Sequence, residues 1–134
     1  KTPLDMAIDV NGKRNEMSVN ELPTQYSTFD IGTKTVNEYG KIIGKAKSIV
    51  ISGPMGVYEN KEFLYGTKAV FESIAKSRAF SLAGGGHTIG ALEEFGLIKK
   101  ISYVSTAGGA LIEFLMGKKL PGVVALEKAA ARKP

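Results

Sequence analysis

The segment Ala79-Phe80-Ser81-Leu82-Ala83-Gly84-Gly85-Gly86-His87-Thr88-Ile89 decides how the rest of the chain is read. It predicts a short buried strand, a turn of three glycines, and then the first residues of a helix. A glycine run at that junction removes every Cβ from the turn, so the backbone bends sharply and can lie close to a ligand. The first amides of a helix lack intrahelical partners, and the helix dipole adds partial positive charge beside them. Taken alone, the segment fits two readings: a site for a phosphate or other anion, or a turn that only packs helix on strand.

The same unit recurs on both sides. Ser48-Ile49-Val50-Ile51 is a short apolar run, the pattern of a strand covered on both faces. Ser52-Gly53-Pro54-Met55-Gly56 follows it, and a helix is predicted over residues 66–76, with Val70, Phe71 and Ile74 as its buried stripe. The strand of the central unit spans 78–82 and its helix 87–95, with Gly96 as the stop. Downstream, a strand over 101–104 leads into Thr106-Ala107-Gly108-Gly109 and a helix to 116, closed by Gly117. Pro121 suits the first turn of a last helix running to 131.

The opening of the chain has a different pattern. Residues 4–10 alternate apolar and polar, Asn11-Gly12 is a hairpin turn, and 16–19 form the return strand. Residues 20–30 show no regular pattern. A helix is predicted over 33–43, with Thr35 and Glu38 as a capping box and Gly44 at its end.

Three successive strand–glycine–helix units predict β-α-β crossovers, a mostly parallel sheet and helices on both faces. The expected fold is α/β, a three-layer α/β/α Rossmann-like arrangement with an antiparallel hairpin at the sheet edge. Loops after parallel strands open at the carboxyl edge, where ligands bind. Gly53, Gly84 to Gly86, and Gly108 with Gly109 should therefore meet at one crevice. That repetition favours the anion site over the packing turn.

Composition narrows the chemistry. A chain of 134 residues suits one domain. It has no cysteine and one histidine, which excludes disulfides, thiolate metal sites, a cysteine nucleophile and any multi-histidine centre. The net charge is +5. The lysines, however, sit as scattered pairs such as Lys45 with Lys47, Lys99 with Lys100, and Lys118 with Lys119, where helices end and cations are favoured. They read as solvated surface, so no nucleic-acid partner is expected. No apolar run approaches the roughly 20 residues of a membrane span, and no signal peptide opens the chain. A cytoplasmic location with no membrane partner is expected. The opening Lys1-Thr2-Pro3, without a methionine, suggests a fragment.

Thr88, in the first turn of its helix, can offer a hydroxyl to a phosphate. Glu59 can accept hydrogen bonds from a ribose diol, or can simply be a solvated loop carboxylate. His87, beside a helix N-terminus, is favoured in its neutral form because the dipole opposes added positive charge. The glycine turns match neither a Walker A loop nor the spaced dinucleotide fingerprint.

Several motifs together resemble the phosphoglycerate kinase family. They are Phe29-Asp30-Ile31-Gly32-Thr33-Lys34-Thr35, Gly53-Pro54-Met55-Gly56-Val57-Tyr58-Glu59, Gly84-Gly85-Gly86-His87-Thr88, Ser105-Thr106-Ala107-Gly108-Gly109-Ala110-Leu111-Ile112-Glu113-Phe114-Leu115 and Gly117-Lys118-Lys119-Leu120-Pro121-Gly122-Val123. The resemblance covers nearly the whole chain and corresponds to the later part of the family's C-terminal, nucleotide-binding domain. Residues 1–134 would then be a partial domain, without the substrate domain or the first part of the nucleotide domain.

The resemblance implies reversible phosphoryl transfer between 1,3-bisphosphoglycerate and ADP, giving 3-phosphoglycerate and ATP, with magnesium. It implies that Glu59 holds the ribose and that Gly85, Gly86, His87 and Thr88 lie along the nucleotide phosphates. Gly53 and Pro54 would border the nucleotide, and the amides of Gly108 and Gly109 would face the transferring phosphoryl group. Its 3-phosphoglycerate site would belong to the absent N-terminal domain, so this chain alone should be inactive. The exposed sheet edge left by the absent strands invites self-association.

Four positions depart from the family's usual pattern: His87 for aspartate, Ser52 for asparagine, Thr33 for proline and Ala107 for glycine. The histidine form is associated with archaeal-type members. No residue of this chain is assigned as a metal ligand. The competing reading of the same fold is a non-catalytic nucleotide-binding or regulatory module.

Overall fold

The computed structural model describes residues 1–132. Its first unit is the expected hairpin. Strands β1 (Asp5–Val10) and β2 (Lys13–Ser18) pair antiparallel, from Asp5 with Ser18 to Val10 with Lys13. The turn between them uses positive φ at Asn11 (55°) and Gly12 (78°), which is what an Asn-Gly hairpin requires.

The hairpin does not lie at the edge of the parallel sheet as its sequence suggested. The other edge of β1 pairs antiparallel with β3 (Thr28–Ile31), making a separate sheet of order β2-β1-β3. Residues 20–30 had shown no strand pattern, because β3 is four residues long and carries two polar side chains. Its pairing comes from β1, not from its own periodicity.

Helix α1 (Thr33–Ile43) follows directly. Its N-terminus is capped from a distance, not by the predicted box of Thr35 and Glu38. The carboxylate of Asp5 on β1 accepts from the amides of Lys34 (2.9 Å) and Thr35 (2.8 Å) and from the Thr35 hydroxyl. Thr35 is fully buried and its oxygen accepts from the amides of Leu4 and Asp5, so it locks the helix to β1. Gly32 lies against that carboxylate so closely that a Cβ there would collide with it.

Strands β4 (Ser48–Ser52), β5 (Phe80–Gly84) and β6 (Tyr103–Ser105) form the second sheet, parallel and in order β4-β5-β6. Helix α2 (Tyr65–Lys76) connects the first pair and α3 (Gly86–Glu94) the second. Ile51 and Ala83 of the sheet pack with Val36 of α1, Val70, Phe71 and Ile74 of α2, and Ala91 and Leu92 of α3 in one buried cluster. Phe71 and Phe95 meet edge to face at 6.4 Å, a favoured aromatic geometry.

The other face of this sheet is met by α4 (Gly109–Leu115), whose Leu111 side chain occupies the space a Cβ of Gly84 would need. Beyond that contact Val50, Phe80 and Tyr103 stay 52%, 57% and 58% exposed. Helix α5 (Pro121–Ala131) begins with Pro121 as predicted and buries no residue. Among the described residues, no helix is long and apolar enough to cross a membrane.

Candidate functional site

Register brings the glycine loops together. Ser52 on β4 is paired with Gly84 on β5, and Gly84 with Ser105 on β6, so the three strands end side by side. The loops beginning at Gly53, Gly85 and Thr106 therefore leave one edge of the sheet. Positive φ occurs at Gly53 (99°), Gly85 (97°) and Gly108 (52°), once in each loop, a conformation that side chains rarely adopt.

The central loop is built around Thr88. Its side chain is fully buried, and Oγ1 accepts the amide hydrogen of Gly53 at 2.6 Å. A Cβ on Gly85 would lie 3.6 Å from both Thr88 Oγ1 and Ser52 Oγ, so Ser52, Gly53, Gly85 and Thr88 form one compact junction. Thr88 thus has a use beyond the expected one: its oxygen fastens two loops together. Gly86 opens α3 with nothing within 4 Å of its Cβ direction, and the same is true of Gly53, Gly108 and Gly109. At these glycines the open side is backbone only, which suits an anion bound by main-chain N–H groups.

His87 and Glu59 stand at the mouth. Both side chains are exposed, the imidazole by 81%, and His87 Nδ1 lies 3.9 Å from Glu59 Oε1. Glu59 was expected near the glycine turns from its place after Gly53, and the structure brings it to the first turn of α3. Tyr58 beside it is buried, and its ring meets Phe95 at 6.2 Å. Burial, with the charges of Glu59 and Glu94 adding to it, pushes the Tyr58 hydroxyl above its ordinary value. Pro54 is half-buried in the turn between Gly53 and Gly56.

A group the sequence reading left without a role supports this loop from behind. Asp30 on β3 has a fully buried carboxylate that receives the guanidinium of Arg14 at 2.9 Å, the Gly66 amide at 2.7 Å and the Ile31 amide at 2.9 Å. It caps the N-terminus of α2 across 36 residues of sequence. Burial outweighs these donors and holds its pKa above the ordinary aspartate value. Gly56 and Gly66 press on it so closely that a Cβ on either would collide with Asp30. The Val57 amide also bonds Phe29 O at 2.8 Å, so the segment leading to Glu59 rests on β3. The quoted Phe29-Asp30-Ile31-Gly32 motif was the available signal; the distant partners Arg14 and Gly66, 16 and 36 positions away, were not in it. In front of this support, Phe29, Met55, Gly56 and Val57 line part of an open, mostly apolar cavity of about 490 Å³.

A divalent cation finds few ligands here. Among the described residues no three His, Cys, Asp or Glu side chains are grouped to hold a metal ion. Magnesium takes near-octahedral oxygen coordination, commonly from one or two carboxylates with phosphate oxygens and water, and beside His87 these loops offer one carboxylate, Glu59. The described residues form no all-protein magnesium cage.

Comparison with known proteins agrees with this fold. The family described as phosphoglycerate kinase matches residues 1–118. The chain is 46% identical over 131 residues to a phosphoglycerate kinase of Pyrococcus abyssi, covering 95% of this chain and 32% of that protein. With a phosphoglycerate kinase of Methanococcus maripaludis it shares 47% over 129 residues, 95% of this chain and 31% of that protein. A crystal structure of phosphoglycerate kinase from Pyrococcus horikoshii superposes with a TM-score of 0.85 at 41% identity, covering 99% of this chain and 34% of that one. The structure of the Coxiella burnetii enzyme gives 0.82 at 40% identity, with 88% and 32% covered. The chain spans about a third of the length of the relatives it matches.

Proposed function

Because the chain belongs to the phosphoglycerate kinase family, we propose that it is the later part of a nucleotide-binding domain serving phosphoryl transfer between an acyl phosphate and ADP. In this reading Gly53 and Pro54 border the nucleotide, Glu59 takes the ribose, and Gly85, Gly86 and His87 lie along the phosphates. Thr88 lies along them too and holds that wall in place through its bond with Gly53. The amides of Gly108 and Gly109 face the phosphoryl group in transfer. Phosphoryl transfer asks little covalent chemistry of a protein and much oriented positive charge, which fixed main-chain amides provide.

The observation that carries the reading is the Ser52–Gly84–Ser105 register, which sets three backbone-lined loops at one sheet edge. The acyl-phosphate side, 3-phosphoglycerate included, lies outside these residues, so the isolated chain binds nucleotide weakly and does not turn over. ATP or ADP, with magnesium carried by the nucleotide, is the ligand; nucleic acid and membrane are not partners, and the setting is cytoplasmic.

A titration of the isotope-labelled chain with ADP tests this. The amides of Gly53, Gly85, Gly86 and Gly108 should shift together, with a dissociation constant on the order of millimolar. Equal shifts with generic DNA would overturn the assignment, and normal kinase turnover by the isolated chain would overturn its predicted inactivity. A non-catalytic nucleotide-binding or regulatory module of the same fold is the alternative reading. It predicts no turnover even when the chain is joined to a family substrate domain.

A further inference from the structure

Titratable charge is scarce around the glycine loops. Residues 52–59, 84–88 and 105–109 carry three ionisable side chains between them: Tyr58, Glu59 and His87. Tyr58 is buried with its hydroxyl toward Gly90. The other acidic groups of the flanking helices are Glu72 two turns into α2, Glu93 and Glu94 at the far end of α3, about 9 Å along the axis from His87, and Glu113 one turn into α4. A polyphosphate placed on these loops would meet amide dipoles, one imidazole and no protein-held metal.

The imidazole is free to respond. Its Nδ1 lies 3.9 Å from Glu59 Oε1, within Coulombic reach but beyond hydrogen-bond distance. An arriving polyanion brings negative charge beside the ring, on the side where Glu59 already stands. By reciprocity, whatever makes nucleotide favour the protonated ring also makes the protonated ring favour nucleotide.

Resting on the nucleotide-site reading above, we infer that protonated His87, held in check by Glu59, is the local cation for the nucleotide phosphates, taking over charge compensation that the chain's carboxylates do not arrange through a metal. Nucleotide therefore binds more tightly as the ring gains its proton, and the effect is larger without magnesium. Because both side chains are exposed, the gain is modest, about two- to fivefold in affinity.

His87 is the only histidine of the chain, so its ring NMR signal is a single, self-assigned reporter. The test titrates the 134-residue chain and its His87→Asn variant with ADP at about pH 5.5 and about pH 8, the range in which imidazole changes charge. Each titration is run in magnesium and again in EDTA, with the loop amides reporting binding. A terminal phosphate also titrates near pH 6, so the readout is the ratio of wild-type to variant affinity. The expected ratio is about two to five at the lower pH and about one at the higher. It rises in EDTA, and ADP moves the His87 titration midpoint upward. A ratio that stays at one throughout, or does not rise in EDTA, while the loop amides still shift, overturns the role of His87 and leaves the nucleotide site standing. Loop amides that never move overturn the nucleotide reading itself.

Discussion

The amide of Gly53 donates to Thr88 Oγ1 across 2.6 Å, so the β4–α2 loop is fastened to the first turn of α3 at a fully buried threonine. Thr88→Val keeps the shape and removes the acceptor. The stranded amide should cost about 1–3 kcal/mol, read as a lower urea midpoint with an unchanged slope. Thr88→Ser should recover most of it, and nucleotide affinity should follow the same order. An unaltered midpoint in the valine variant would rule out the fastening role.

Neighbouring glycines at the start of α3 should respond differently. Gly85 sits at φ 97° with room for a methyl group, so Gly85→Ala is opposed by backbone strain of about 1–3 kcal/mol. Gly86 has open space and ordinary φ, so Gly86→Ala should change stability by less than about 0.5 kcal/mol. Its methyl group would stand where the phosphates are proposed to lie. Calorimetry should therefore separate the first variant from wild type, and ADP titration the second.

Asp30 joins β2, β3 and α2 through Arg14, its own strand and Gly66. Asp30→Ala leaves a guanidinium and two amides without their acceptor, and breaking a buried pair on one side costs about 3–5 kcal/mol. The loop that carries Glu59 should loosen with it, visible as faster hydrogen exchange at Val57.

Two capping carboxylates should show opposite pH dependences. Burial raises the Asp30 pKa, more than its donors lower it. Its contribution is thus present in acid and lost as pH rises through its folded value. At Asp5 burial acts upward too, but the Thr35 hydroxyl and the Lys34 and Thr35 amides outweigh it and the pKa falls. That contribution is present above the ordinary value of 3.8 and lost as pH falls through the lowered one. The stability deficit of Asp5→Asn should therefore shrink toward acid, and that of Asp30→Asn should shrink toward neutrality. Denaturation midpoints measured across the acid range compare the two slopes directly.

Val50, Phe80 and Tyr103 expose an apolar stretch on one face of the parallel sheet. Such surface invites association, so the isolated chain should sediment with a concentration-dependent mass. Phe80→Lys, on that face and away from the core, should return it toward a monomer. A monomer at every concentration would remove the expected self-association.

Much of this protein was legible in local patterns. The Asn11-Gly12 hairpin, the helix starting at Pro121 and the three strand–glycine–helix units need only neighbouring residues to recognise, because turn chemistry and hydrophobic period act over a few positions. Glu59 was singled out from its place beside a glycine turn. β3 was missed because four residues carry too little periodicity, and the capping of α1 was misassigned because Asp5, 28 positions before Thr33, supplies the acceptor in place of the local Thr35–Glu38 pair.

What the amino-acid sequence determined by itself is every principal element but β3, the α/β class and the family motifs, since these depend on order and spacing. Only the tertiary structure decided that the hairpin belongs to its own sheet, that Thr88 turns inward to hold Gly53, that Asp30 braces the loop before Glu59, and that Glu59 reaches His87. Each of these joins residues 16 to 36 positions apart. Contacts at that separation are set by strand register and helix packing, which local propensity does not encode.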